Sequence, residues 1–173
     1  MRFEKISRQQ FRKDAALFVP DVHAELTDMD KDALERAFYD TVSLPKRVTA
    51  GSAGYDVASP IRVHMQPGIP KLIPTGLRVQ MDDGYFLAVV PRSGLGFKYG
   101  LRLMNTVGII DRDYYSADNE GHILLKVVCD APFDINAGDR IAQAIFVRYG
   151  TTDNEMVPQG ERHGGFGSTG VSV

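Results

Sequence analysis

The sequence predicts a mainly β chain, preceded by a short helical segment and followed by a glycine-rich arm. Three observations carry this reading. Beyond Leu44, short runs rich in Val, Ile, Leu and aromatics, such as Tyr85 to Val90 and His122 to Val128, are punctuated by Gly and Pro. Turn signals at Pro67-Gly68, Asp82-Asp83-Gly84 and Asn136-Ala137-Gly138-Asp139 separate these runs at short spacing, which suits a sandwich or barrel better than alternating strands and helices. Residues 1–40 differ, being charged, poor in glycine and periodic like helices.

Taken in order, the first forty residues predict two short helices. Thr27 and Asp30 form a capping-box pattern, and Ala33, Leu34, Ala37 and Phe38 then fall on one helical face expected to pack on the main body. The predicted organisation is an N-terminal helical extension over 1–43, a β domain over 44–159 and a C-terminal arm over 160–173. That arm holds little that could anchor it in a core, so it is expected to be mobile until something binds.

Composition bounds the function. A length of 173 residues fits one domain, and 43% hydrophobic with 24% charged residues excludes a chain disordered throughout. A net charge of −2 provides no basic footprint, so general nucleic-acid binding is not expected. Cys129 is the single cysteine, which excludes an intrachain disulfide and a Cys-rich zinc site. The sequence shows no signal-like run and no stretch of bilayer-spanning length, and a cytoplasmic protein without a membrane partner is expected.

Several segments could carry chemistry. Gly165-Phe166-Gly167-Ser168-Thr169-Gly170 matches the spacing of a dinucleotide-binding glycine motif, but three residues after it leave no room for the helix that motif needs. Its backbone N–H groups, the Ser168 and Thr169 hydroxyls and nearby Arg162 could instead bind phosphate, and a tail without function is the alternative. Pro91-Arg92-Ser93-Gly94-Leu95 follows a strand and reads either as phosphate donors or as an ordinary turn with a structural Arg. In Gly108-Ile109-Ile110-Asp111-Arg112-Asp113-Tyr114 a carboxylate emerges from an apolar pair, so Asp111 suits a partly desolvated general base, although a turn Asp fits too. Along Gly138-Asp139-Arg140-Ile141-Ala142-Gln143, strand alternation puts Gln143 on the opposite face from Ala142 and Ala144, toward a ligand or toward solvent. Cys129, His23, His64 and His122 have no partner at a chemically meaningful spacing and read as structural or surface residues.

Together with Gly51-Ser52-Ala53-Gly54-Tyr55-Asp56-Val57 and Asn105, these segments resemble, in order, the five motifs of the trimeric dUTP diphosphatases, from about Leu44 to Gly170. The resemblance implies a jelly-roll or β-barrel-like subunit and a homotrimer in which each active site is shared between subunits. It implies Mg2+-assisted hydrolysis of dUTP to dUMP and pyrophosphate, which limits uracil incorporation into DNA and supplies dUMP for dTMP synthesis. By position in the motifs, Asp111 is the general base for the water that attacks the α-phosphorus, and Asp56 holds Mg2+ through a water. Arg92, Ser93, Gly94 and Gln143 contact the phosphates, and Arg162, Gly167, Ser168 and Thr169 close over them. Asn105 and the backbone at Ile109 and Ile110 read the uracil edge, and Phe166 stacks on the base. Tyr114 packs against the deoxyribose, although Tyr115-Ser116-Ala117-Asp118-Asn119-Glu120 is longer than the usual connection and leaves Tyr115 as the alternative. The extension and the 115–120 segment are surfaces a regulatory protein partner could use. A deaminase acting on dCTP shares the fold and several motifs; the strand His122 to Lys126 lacks the glutamate such enzymes need.

Overall fold

The computed structural model describes residues 1–18 and 27–154. The chain begins with a strand, β1 (Arg2–Lys5), and two helices, α1 (Arg8–Phe18) and α2 (Asp28–Thr41). Strands β2 (Tyr55–Ala58), β3 (Val63–Met65), β4 (Lys71–Pro74), β5 (Leu77–Gln80) and β6 (Tyr85–Pro91) follow. A short helix, α3 (Ser93–Tyr99), leads to β7 (Arg102–Leu103), β8 (Gly108–Ile110) and a 3-10 turn at Arg112–Ser116. The last strands are β9 (Leu124–Val128), β10 (Phe133–Ile135) and β11 (Arg140–Arg148). The mainly β expectation holds.

All pairings between these strands are antiparallel. The largest sheet runs β2-β11-β6-β8, a second runs β4-β9-β7, and β1-β5 and β10-β3 form two-stranded ribbons. No ladder closes into a barrel among the described residues. The predicted turns at Pro67-Gly68, Asp82 to Gly84 and Asn136 to Asp139 fall between β3 and β4, β5 and β6, and β10 and β11. Alternating residues of β5 and β6, Leu77, Val79, Leu87 and Val89, point into one core with Ile73, Leu125 and Ile141, all at or below 3% exposure. Burying each such side chain contributes about 1.5–3 kcal/mol, so this shared interior holds the ladders together.

The N-terminal segment is more deeply built in than its helical pattern suggests. Strand β1 pairs with β5, and Phe3 packs its ring 5.4 Å from both Tyr55 of β2 and Phe146 of β11. The β propensity of a four-residue charged stretch is weak, and its partner β5 lies far away in sequence, so periodicity could not find it. Ile6 and Phe11 are each 1% exposed. Helix α2 starts as expected, with the Thr27 hydroxyl oxygen accepting from the Asp30 N–H. Its buried face is shifted from the predicted one: Leu34 and Phe38 are half-buried, with Phe38 against the core, but Ala33 and Ala37 are exposed and Glu35 is buried in their place. The helix turns toward α1 so that Tyr39 meets the Phe11 ring edge-on at 5.7 Å and donates its hydroxyl to the Ile6 carbonyl at 2.7 Å. Helix α3 also differs from the turn the sequence suggested; Gly100, in the left-handed region, ends it.

His122, expected to be structural or at the surface, sits fully buried at the junction of these parts. Its Nε2 accepts the Gly76 N–H at 3.0 Å, so the ring proton lies on Nδ1 and is donated to the Asp14 carboxylate at 2.6 Å. The other Asp14 oxygen accepts from Gln10 Nε2 at 3.0 Å. A helix residue, a core histidine and a turn backbone thus satisfy each other away from water. This packing also explains why β9 begins at Leu124 and not at His122.

Gly76 is the tight point of that junction. It sits at φ +69°, and a Cβ there overlaps both Val42 methyls. Gly76→Ala is therefore expected to destabilise the fold by about 2–4 kcal/mol, combining left-handed strain with the overlap. Thermal unfolding should show a melting temperature lower by roughly 5–15 °C; an unchanged melting temperature contradicts this packing.

Candidate active site

Strand β6 positions two clusters of the expected site residues. At its C-terminal end, Arg92 follows Pro91 and Ser93 opens α3, while β11 and β2 bring Gln143 opposite Asp56. Asp56 is 7% exposed. Its Oδ2 accepts from Arg140 Nη1 at 2.8 Å, and its Oδ1 accepts from Gln143 Nε2 at 3.3 Å and lies 3.6 Å from Arg92 Nε. Gln143 is half-buried while Ala142 and Ala144 are buried, as the alternation predicted. Two guanidinium groups border this carboxylate, and the cavity that Arg92 and Arg140 line also takes in Asp134 and Asp139. Ser93 and Gly94 are exposed beside them. The arrangement suits an anion such as a phosphate chain.

Sequence reasoning assigned no role to Arg140, although it lay inside a quoted motif. A shift in register between Arg140 and Ala142 in the β11–β2 ladder re-aims it toward the same carboxylate as Gln143. Simple alternation gives no sign of such a bulge.

The second cluster lies alongside β8, which pairs with the middle of β6 through Leu87 and Ile110, and Val89 and Gly108. Here a largely apolar cavity of about 300 Å3 is lined by Val89, Leu103, Asn105, Ile109, Ile110 and Tyr114 among others. Asn105 lies on the exposed turn between β7 and β8, and Ile109 is 52% exposed at the rim. Asp111 follows β8 directly, half-buried, as the residue that opens the 3-10 turn. Lys126 of β9 also lines the cavity, a cation the sequence reading did not single out. The two tyrosines part here: Tyr114 is buried and lines the cavity, whereas Tyr115 turns its hydroxyl to Glu4 at 2.8 Å.

The antiparallel register separates these clusters. Asp111 leaves β8 beside Leu87, and Arg92 lies roughly five residues further along β6, on the order of 17 Å at ~3.3 Å per residue. One chain therefore presents at one place an apolar pocket, with Asp111 just past the strand that lines it, and at another the Asp56, Arg92, Arg140 and Gln143 cluster. Arg162, Phe166, Gly167, Ser168 and Thr169 lie outside the described residues.

Among the described residues, no group of three or more His, Cys, Asp or Glu is placed to hold a metal ion. Asp56 offers a single carboxylate to the cradle, with both oxygens already accepting hydrogen bonds. That donor set fits a hard cation carried mainly by phosphate and water oxygens, not one caged by protein. No helix among the described residues is long and apolar enough to cross a membrane.

Comparison with known proteins agrees with this geometry. The dUTPase family model matches residues 40–170. The deoxyuridine 5'-triphosphate nucleotidohydrolase of Lactococcus lactis is 44% identical over 134 residues, covering 75% of this chain and 89% of that protein. The crystal structure of dUTPase from Streptococcus mutans superposes with a TM-score of 0.64 at 31% identity, covering 89% of this chain and all of that one. A dUTPase from phage phi11 of S. aureus, in which a structural Mg(II) ion is coordinated, shares the fold with a TM-score of 0.60 at 23% identity, over 72% of this chain and 95% of that one. The family match spans most of the chain and includes both clusters on β6, and on that ground this chain belongs to the dUTPase family.

Proposed function

We propose that this protein hydrolyses dUTP to dUMP and pyrophosphate, at sites assembled from more than one copy of the chain. The observation that carries the reading is the sorting of the family motifs onto two places along β6, an apolar pocket lined by β8 with Asp111 immediately after that strand, and a cradle with Arg92 and Gln143. Uracil enters the pocket, where Asn105 and the backbone at Ile109 and Ile110 pair with its edge. A cytosine there presents the wrong donors and leaves buried polar groups unpaired, which can cost about 10⁴–10⁵-fold. Tyr114 packs on the deoxyribose and leaves no room for a 2′-hydroxyl.

Asp111 accepts the proton of the water that attacks the α-phosphorus in line, and the bond to the leaving pyrophosphate breaks opposite the incoming oxygen. Arg92, the Ser93 hydroxyl, the Gly94 backbone and Gln143 donate to the phosphate oxygens. Asp56 would hold a Mg2+ ion through a water, and that ion would supply charge neutralisation at the leaving group. Arg162, Gly167, Ser168 and Thr169 complete the phosphate contacts and Phe166 covers the base.

The separation of the two clusters favours a homotrimer in which one copy's pocket faces another copy's cradle. Phe97, 94% exposed on α3 next to the cradle, offers an apolar contact to such a neighbour. The lone cysteine fits a cytoplasmic setting. A dCTP deaminase is not favoured, since the family match and the relatives are dUTPases.

Asp111→Asn keeps the shape of the site and removes proton acceptance. Turnover of dUTP is expected to fall by about 10²-fold or more with little change in affinity for a non-hydrolysable analogue. Near-normal turnover in a steady-state assay moves the base elsewhere. Truncation after Gln159 should leave a trimer by light scattering while dUTP hydrolysis falls at least about 10²-fold, given the phosphate contacts removed. A fully active truncated protein, or an active monomer, contradicts the shared site.

A further inference from the structure

The N-terminal segment does not pack anywhere convenient; it grips the turn that carries Tyr114. Hydrogen bonds join residues 4–14 to residues 115–122 at three pairs, and the Phe11 ring also lies 6.0 Å from His122. The Ser7 N–H and hydroxyl donate to the two Glu120 carboxylate oxygens at 2.8 and 2.6 Å. The Tyr115 hydroxyl donates to Glu4 at 2.8 Å, and Arg78 both pairs with Glu4 at 3.0 Å and lies 4.4 Å from the Tyr115 ring centroid. Asp14 accepts from His122, as described above.

From these anchors the connection to the pocket is one step long. The His122 carbonyl accepts the Tyr114 hydroxyl at 3.0 Å, and Asn119 Nδ2 donates to that same hydroxyl oxygen at 2.8 Å. Glu120 sits at φ +57° and Gly121 at φ +71°, consecutive left-handed residues that close the turn directly beneath Tyr114 and Tyr115. A non-glycine residue holds such a conformation only when its surroundings over-determine it, and here the surroundings include Ser7. Burial raises the Glu120 carboxyl, and the hydrogen bonds from Ser7 outweigh it, leaving the group below its ordinary value. The two surfaces expected to offer a partner binding site are thus each other's partner in this respect, and most of the gripping segment lies outside the residues 40–170 that match the family model.

We infer that the N-terminal segment is a positioning element for the nucleoside pocket, in which Ser7–Glu120 and Asp14–His122 hold Tyr114 and so sharpen the discrimination of deoxyribose from ribose. This rests on the proposed dUTP hydrolysis. Ser7, Asp14 and Glu120 act through Tyr114 and touch no substrate. Their effect is on geometry: a pocket wall that shifts by a fraction of an ångström admits a 2′-hydroxyl and holds the deoxynucleotide less well.

The test compares full-length wild type, Glu120→Ala and Glu120→Gln for steady-state hydrolysis of dUTP and UTP, with amide hydrogen exchange over residues 112–122. Glu120→Ala should lower the dUTP-to-UTP ratio of kcat/KM by about tenfold, chiefly through a higher KM for dUTP and a faster UTP reaction. Exchange across the turn should rise while the melting temperature stays within a few degrees, and Glu120→Gln, which keeps one acceptor, should fall between. If Glu120→Ala fails to fold, Ser7→Ala removes one donor to Glu120 together with the acceptor that caps α1 at the Gln10 N–H, so its melting temperature falls somewhat, and the same change in discrimination is expected on a smaller scale. Loss of stability with unchanged discrimination overturns the inference. If wild type hydrolyses neither nucleotide, the activity reading falls; the exchange data then decide the grip by themselves, and unaltered exchange in Glu120→Ala overturns it.

Discussion

Strand β6 is the constraint on which the rest depends. It is hydrogen-bonded along one edge to β11 and along the other to β8, and its two buried alternate residues, Leu87 and Val89, lie in the middle of the core. An extended strand cannot be shortened, so what is attached at its end stays away from what is attached at its middle. The anion cradle of Asp56, Arg92, Arg140 and Gln143 is attached at the end, and the apolar pocket with Asp111 is attached at the middle. A triphosphate nucleotide needs both kinds of surface. The proposed sharing of sites between copies rests on this separation along β6.

The same register gives the charges in the cradle their character. Asp56 is buried, and a buried carboxylate without partners is costly to keep ionised. Here Arg140 and Gln143 bond to it and Arg92 stands near, so the carboxylate fixes the orientation of these side chains. On the proposed reading, a single carboxylate suits a cation that arrives with its phosphates over one held in advance.

Much of this could be read in the sequence, because most of it is local. The strands at 85–91 and 124–128, the turns between them, the cap at Thr27 and the inward and outward alternation around Gln143 all follow from residue type and spacing. The site residues could be listed by likeness, but periodicity did not reveal that they divide into two places. What escaped is non-local. Strand β1 is stabilised by β5 and by the rings of Tyr55 and Phe146, distant in the chain. Helix α2 turns its face to meet Phe11, and His122 is satisfied by Asp14 from another element. Arg140 joins the cradle through a register shift that residue order does not display. That Tyr114 lines the cavity while Tyr115 turns to Glu4 is likewise a non-local fact.

The central claim is that Asp111 of one copy acts on a phosphate held by Arg92 of another. Co-assembling Asp111→Asn with Arg92→Ala chains, each inactive by itself, tests it most directly through dUTP hydrolysis. Random mixing in equal amounts should restore about one quarter of wild-type activity, since that share of sites receives an intact Asp111 from one copy and an intact Arg92 from its neighbour. If both residues of a site come from the same chain, every site in the mixture carries a defect and no activity returns. Mixed assemblies as inactive as either parent would contradict the account.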